Sequence, residues 1–207
     1  MDKEHALLSS CSLIAGHEIV SSVAGIGKVN AALTASSLIE RCRPDCIVNT
    51  GVAGGLGADV HMGDLVVASS CAYHDVWCGD GNEPGQVQGL PARFFPDPRL
   101  LDAARGAEMN AKVHFGLICT GDRFIETLEE DRRILEVFPD ALACDMESAA
   151  IAQVCFLKGV PFISFRIVSD CYADGGHLES YGDFWNTVSD RSFESVQTLI
   201  KSFPSSI

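Results

Sequence analysis

Apolar residues along this chain fall alternately into short continuous runs and longer stretches with helical spacing. Glu18 to Ala24 is short, apolar and β-branched, Gly25-Ile26-Gly27 interrupts it, and Lys28 to Arg41 then repeats small or apolar side chains at Val29, Ala32, Leu33, Ser36 and Ile39. That order predicts a strand, a tight turn and a helix. Pro44-Asp45 breaks the pattern before the apolar Cys46-Ile47-Val48, and the glycine-rich stretch Gly51 to Gly57 follows, which predicts a buried strand feeding a loop. Gly63 to Ala68 predicts another strand. Cys78 to Pro98, dense in glycine and proline, predicts a long loop of the kind that serves function or an interface. Leu100 to Met109 reads as helix, Val113 to Cys119 as strand, Glu126 to Val137 as a charged amphipathic helix and Ala141 to Cys144 as strand. Glu147 to Lys158 reads as a helix capped by Gly159, Pro161 to Val168 as a β-rich apolar run and Tyr181 to Lys201 as a closing helix. Alternating strands and helices predict an α/β fold whose sheet is mainly parallel and covered on both faces, with ligands at the carboxyl ends of the strands. No repeat, low-complexity tract or linker divides the chain, so one domain over 1–207 is expected.

Charge narrows the partners. The formal net charge is −13 and the 15 Lys and Arg are scattered, which argues against nucleic acid, because phosphate neutralisation needs a basic stripe. A small neutral or cationic ligand fits better. No apolar run approaches the roughly eighteen residues of a membrane span, and Met1-Asp2-Lys3-Glu4 opens with charges where a signal peptide carries its apolar core, so no membrane contact and a cytoplasmic location are expected. The nine cysteines form no CxxC pair and sit mostly in apolar stretches, as reduced, buried thiols do. The six histidines are dispersed without a zinc-site spacing, so no metal is expected.

Several motifs admit both a structural and a chemical reading. Gly27-Lys28 fails the phosphate-binding GxxxxGK[ST] pattern, since position 22 is Ser and position 29 is Val. The Gly51 to Gly57 cluster fails GxGxxG, because Val60 stands where the third glycine would fall. What remains there is either a plain tight turn or a backbone whose N–H groups approach a ligand closely. Asp145-Met146-Glu147 follows an apolar strand and opens a helix, where acids complement the helix dipole or, for Glu147, accept hydrogen bonds from a sugar diol. Asp170 ends the run Phe162 to Val168 and reads as a cap or as a second functional carboxylate. Arg166 lies within that run and needs a carboxylate partner to be buried there. Phe124 reads as core or as a stacking platform, and Phe94-Phe95 in the long loop as aromatics awaiting a ligand or an interface.

Taken in order, Gly25 to Ala32 (GIGKVNAA), Asn49 to Gly55 (NTGVAGG), Gly121 to Ile125 (GDRFI), Asp145 to Ala152 (DMESAAIA) and Arg166 to Asp170 (RIVSD) resemble bacterial 5′-methylthioadenosine/S-adenosylhomocysteine nucleosidases of the purine nucleoside phosphorylase superfamily. The resemblance runs from about Gly16 to Phe203. It implies an α/β fold with a central mixed, twisted, partly barrel-like sheet flanked by helices, assembled as a homodimer. It also implies that Asp170 protonates adenine N7, that Glu147 and Met146 bind the ribose, and that Arg166 and Ser169 support them. Phe124 would stack on adenine, the Ile125 backbone would read its edge, and Val52, Ala53 and Gly54 would line the pocket, with Val52 where relatives often carry a hydroxyl. Phe184 would wall the 5′ side, and Phe94 would be lent to that side by the neighbouring subunit. Met1-Asp2-Lys3-Glu4 resembles the segment carrying the water-activating glutamate, which implies Glu4 as general base, with the family's first strand missing before it.

The chemistry implied is hydrolysis through an oxocarbenium-like sugar, with Asp170, Glu147 and Glu4 protonating the base, holding the ribose and presenting water, and with no metal or organic cofactor. A phosphorolytic purine nucleoside phosphorylase is the alternative enzyme, and a catalytically weak nucleoside-binding protein the alternative outside catalysis. Phosphorolysis would need arginines and a hydroxyl at the glycine loop, where this chain has Val52 and no arginine.

Overall fold

The computed structural model describes residues 9–171 and 194–204. β1 (Ser9–Ile14) and β2 (His17–Ser22) form an antiparallel hairpin turned by Ala15 and Gly16, whose φ values of 51° and 90° are those of a two-residue hairpin loop. Five further strands close into a barrel. They are β3 (Ile47–Gly55), β4 (Leu65–Tyr73), β5 (Val113–Thr120), β6 (Ala141–Asp145) and β7 (Phe162–Cys171), joined in the order β3-β6-β5-β4-β7. β3 with β7, β4 with β5 and β5 with β6 run parallel, while β3 with β6 and β4 with β7 run antiparallel.

The continuous apolar runs arise because these strands are buried on both faces. Val66, Ala68, Ile118, Ala143 and Val168 belong to one core, shared with the small side chains of α1 (Lys28–Cys42) and α4 (Ser148–Lys158). Leu65, Val67, Ile163, Phe165 and Ile167 belong to a second, covered by α2 (Pro98–Gly106) and by Leu199 and Ile200 of α5 (194–202). α3 (Leu128–Val137) starts at Thr127, whose hydroxyl accepts from the Glu130 N–H, and α4 ends at Gly159 with φ 67°. Among the described residues no helix is long and apolar enough to cross a membrane.

Three expectations need correction. The sheet is mixed and closed, as the resemblance implies, where alternation of elements alone predicted a mainly parallel one. β1 was not foreseen, because Ser9-Ser10-Cys11-Ser12 lacks the apolar alternation of a half-buried strand. Gly51, Gly54 and Gly55 lie within β3 and not in a loop after it. Their missing side chains are what lets the strand pack: a Cβ on Gly51 would overlap the Arg166 guanidinium, and one on Gly55 would stand 2.9 Å from Val168. Only 194–204 of the closing segment are described, so the start of its predicted helix at Tyr181 lies outside them.

Candidate active site

The barrel places charge on itself at one end. Arg166, paired in register with Gly51 across β3 and β7, is 4% exposed and could not remain there unpaired. Its Nε lies 2.8 Å from Asp145 Oδ2 at the end of β6, and its Nη2 lies 3.3 Å from Glu147 Oε2. Asp145 is saturated by further donors, the Thr120 hydroxyl at 2.6 Å, the Ser148 N–H at 3.1 Å and the Ser148 hydroxyl. Asn49 completes the buried network by donating to the Ser148 and Ser164 hydroxyls at 2.9 and 3.0 Å. Arg166 and Asp145 therefore act as a braced platform for Glu147.

Glu147 stands at the N-terminal end of α4, and its other oxygen accepts the Gly27 N–H at 3.0 Å. Gly27 reaches it because the turn before α1 adopts φ 90°, a conformation that costs glycine nothing. The next N–H, of Lys28, is accepted by Asp122 at 2.7 Å, so two N–H groups left open at the start of α1 end on carboxylates from elsewhere in the fold. Burial pushes the Glu147 carboxyl above the ordinary glutamate range, opposed by Arg166 and by the Gly27 N–H.

Asp170 is the last residue but one of β7. Its Oδ1 accepts the Ser169 hydroxyl at 2.5 Å, and its Oδ2 lies beside Gly54, where a Cβ would approach it to 3.5 Å. Ser169 is itself buried, within 3.3 Å of the Ala53 carbonyl.

Glu147 and Asp170 face one cavity of about 380 Å³, within the range of small-molecule sites. Val52, Ala53 and Gly54 from β3, Phe124 and Ile125 before α3, Met146, Arg166 and Ser169 also line it. Phe124 is 41% exposed and presents its ring to the cavity wall. The cavity thus lies where strand ends meet loops, as α/β sheets dictate. Among the described residues no cluster of His, Cys, Asp and Glu could hold a metal ion.

Glu4 and Phe184 lie outside the described residues. Phe94 does not reach the cavity, and its expected loan to a neighbour is corrected. It is 3% exposed, bridges to Cys71 and packs against Tyr73 and Phe156 at ring separations of 6.4 and 5.7 Å. Its ring is enclosed by its own subunit, whereas the adjacent Phe95 is 71% exposed. Several lining residues were given no site role from the sequence, among them Ile26, Arg123, Cys144 and Asp131. Asp131 lies on the inward face of α3 with Ile134, a position where an amphipathic helix ordinarily carries an apolar side chain. An acid breaking that stripe was the available signal.

Comparison with known proteins agrees with this geometry. Residues 4–201 match the model of the phosphorylase superfamily. The 5′-methylthioadenosine/S-adenosylhomocysteine nucleosidase of Neisseria meningitidis, solved with methylthio-immucillin-A, is 37% identical with a TM-score of 0.86, over 96% of this chain and 91% of that one. That of Colwellia psychrerythraea, solved with adenine, is 34% identical with a TM-score of 0.90, over 99% and 87%. The futalosine hydrolase of Helicobacter pylori is 26% identical with a TM-score of 0.87, over 96% and 86%. A buried Arg166 bracing Glu147 opposite Asp170, on a barrel shared with these enzymes across nearly its whole length, leads to one conclusion: the chain belongs to the phosphorylase superfamily, among the bacterial 5′-methylthioadenosine/S-adenosylhomocysteine nucleosidases.

Proposed function

We propose that this chain hydrolyses the N-glycosidic bond of 5′-methylthioadenosine and S-adenosylhomocysteine and releases adenine. The observation that carries this reading is the charge of the cavity. Four carboxyl side chains, Asp131, Asp145, Glu147 and Asp170, line it against two guanidinium groups, and both of those are committed, Arg166 to Asp145 and Glu147 and Arg123 to Glu130. An acid-rich wall favours the positive charge that develops on the sugar as the bond to the base breaks. It disfavours a phosphate dianion, which supports water over phosphate as the acceptor. In this reading Asp170 delivers a proton to N7 of the leaving base, Glu147 accepts from the ribose hydroxyls, and Phe124 covers the ring. Glu4 is assigned as the base that activates water on the family resemblance alone, and Phe184 likewise as a wall of the 5′ side.

Incubated with methylthioadenosine in phosphate-free buffer, the protein should yield adenine and free 5-methylthioribose at a rate that added phosphate leaves unchanged. Dependence on phosphate, with a sugar 1-phosphate as product, would establish phosphorolysis instead, and no cleavage would leave a binding protein.

We further infer a cytoplasmic, single-domain subunit acting as a homodimer. Its nine cysteines are all free thiols, as a reducing compartment allows. Ile26, Val29 and Leu33 form an exposed apolar row from the cavity rim along α1, each at least 66% exposed, and Phe95 adds a second exposed ring. A second copy would bury such surface by isologous contact. Sedimentation at micromolar concentration should give a dimer that Leu33→Glu weakens, and a fully active monomer would refute it.

A further inference from the structure

Lys28 does not line the cavity, yet three loops at the cavity's mouth meet on it. Its Nζ donates at 2.8 Å to both oxygens of Asp75, which follows the end of β4, and stands 3.7 Å from Asp122 Oδ2, which follows the end of β5. Its own N–H is accepted by Asp122 Oδ1 at 2.7 Å, and the Asp122 N–H donates in turn to Asp75 Oδ2 at 2.9 Å. The three residues therefore close a ring of contacts. The ammonium also lies 5.4 Å from the centroid of the Tyr73 ring, whose hydroxyl donates to Gln153 of α4 at 2.7 Å. Burial opposes charge on Asp75, but Lys28 and the Asp122 N–H hold its carboxyl below the usual range, so the ring keeps its ion pair at neutral pH.

The residues just before Lys28 are the ones that reach the site. Gly27 gives its N–H to Glu147 Oε1 at 3.0 Å, and Ile26 lines the rim. Gly25 and Gly27, at φ 78° and 90°, leave this turn free to take other conformations, so its place depends on what grips it. Asn30 and Thr34 donate to the Ile26 and Ala24 carbonyls, which shapes the turn from its own helix without tying it to the barrel. Lys28 supplies the tie to the ends of β4 and β5. The wall at 123–125 has anchors of its own: the Gly121 N–H donates to the Asp145 carbonyl at 3.0 Å, and Arg123 is held by Glu130.

We propose that Lys28 is a positioning residue, whose clamp on Asp75 and Asp122 holds the Gly27 N–H against Glu147 and so fixes the carboxylate that accepts from the ribose. This rests on the nucleosidase reading. The side chains of Lys28, Asp75 and Asp122 are 23%, 28% and 46% exposed, so the clamp adds little to overall stability. Its effect is on geometry. A carboxylate displaced by about 1 Å can cost a reaction as much as 10²-fold, because the substrate is no longer held in its reactive pose. Loss of the clamp should therefore be felt by the nucleoside and not by the free base.

The test compares kcat/KM for methylthioadenosine with the calorimetric affinity for adenine, on the whole protein, for wild type, Lys28→Met, Lys28→Arg and Asp75→Asn. Lys28→Met should lower kcat/KM by about 10-fold while adenine affinity stays within about twofold and the melting transition barely moves. Lys28→Arg keeps the cation and can donate to both Asp75 oxygens, so it should recover most of the loss. Asp75→Asn still accepts from the Asp122 N–H but gives up the ion pair, and it should repeat the pattern of Lys28→Met from the other side of the clamp. A kcat/KM within threefold of wild type in whichever of Lys28→Met and Asp75→Asn folds would overturn the proposal and leave the nucleosidase reading intact. An equal loss of adenine affinity would overturn it too, by making Lys28 a general support of the fold. Wild type that binds adenine and cleaves no nucleoside would overturn the nucleosidase reading and this role with it.

Discussion

Replacing Asp170 by asparagine is expected to slow cleavage of methylthioadenosine by about 10²- to 10⁴-fold while leaving the affinity for an adenine analogue within a few fold. The geometry is favourable to so clean a separation. Asparagine can keep the 2.5 Å bond from the Ser169 hydroxyl through its carbonyl oxygen, so the side chain should stay where β7 puts it. The oxygen beside Gly54 becomes an amide nitrogen, still able to donate to N7 but with no acidic proton to release. Binding survives; proton transfer to the departing base does not. Steady-state turnover and analogue titration on the same preparation check this. Cleavage within threefold of the parent would reduce Asp170 to a structural acid, since asparagine caps about as well as aspartate.

Arg166→Met should have the largest effect on stability. Methionine keeps an unbranched apolar stem but has no guanidinium, and so it strands Asp145 and Glu147, which share that group at 2.8 and 3.3 Å. Breaking a buried pair from one side costs about 3 to 5 kcal/mol, because the remaining charge stays buried without compensation. In a chain of this size that corresponds to a fall of roughly 6 to 20 °C in the melting temperature. Adding Asp145→Asn should recover part of the loss by removing one orphaned charge, and a double-mutant cycle measures how much. A loss below about 1 kcal/mol would show that the cluster does not depend on its cation.

Much of this organisation was legible in the sequence. The Gly25 to Gly27 turn could be read because only glycine adopts its φ cheaply, and the demand of a buried Arg166 for carboxylates follows from desolvation alone. Closure of the barrel was not legible locally. Whether β3 pairs with β7 or β6 depends on contacts between residues 88 to 116 positions apart, and glycines that look like a loop can be a strand pressed against an arginine. Phe94 was misread for a related reason: position in a proline-rich loop says nothing of which ring turns inward, and here it is Phe94 that packs on Tyr73 while Phe95 stays out. Asp131 was hidden among the acids of a charged helix, where only its phase with Ile134 distinguishes it.

The central claim is that the cavity between β3, β7 and the start of α3 binds the purine with Asp170 at N7. A crystal structure of the protein with adenine tests it most directly. The account predicts the ring against Phe124 with N7 within hydrogen-bonding distance of the Asp170 carboxyl. Adenine bound elsewhere, or turned so that N7 faces Glu147 and Arg166, would contradict it.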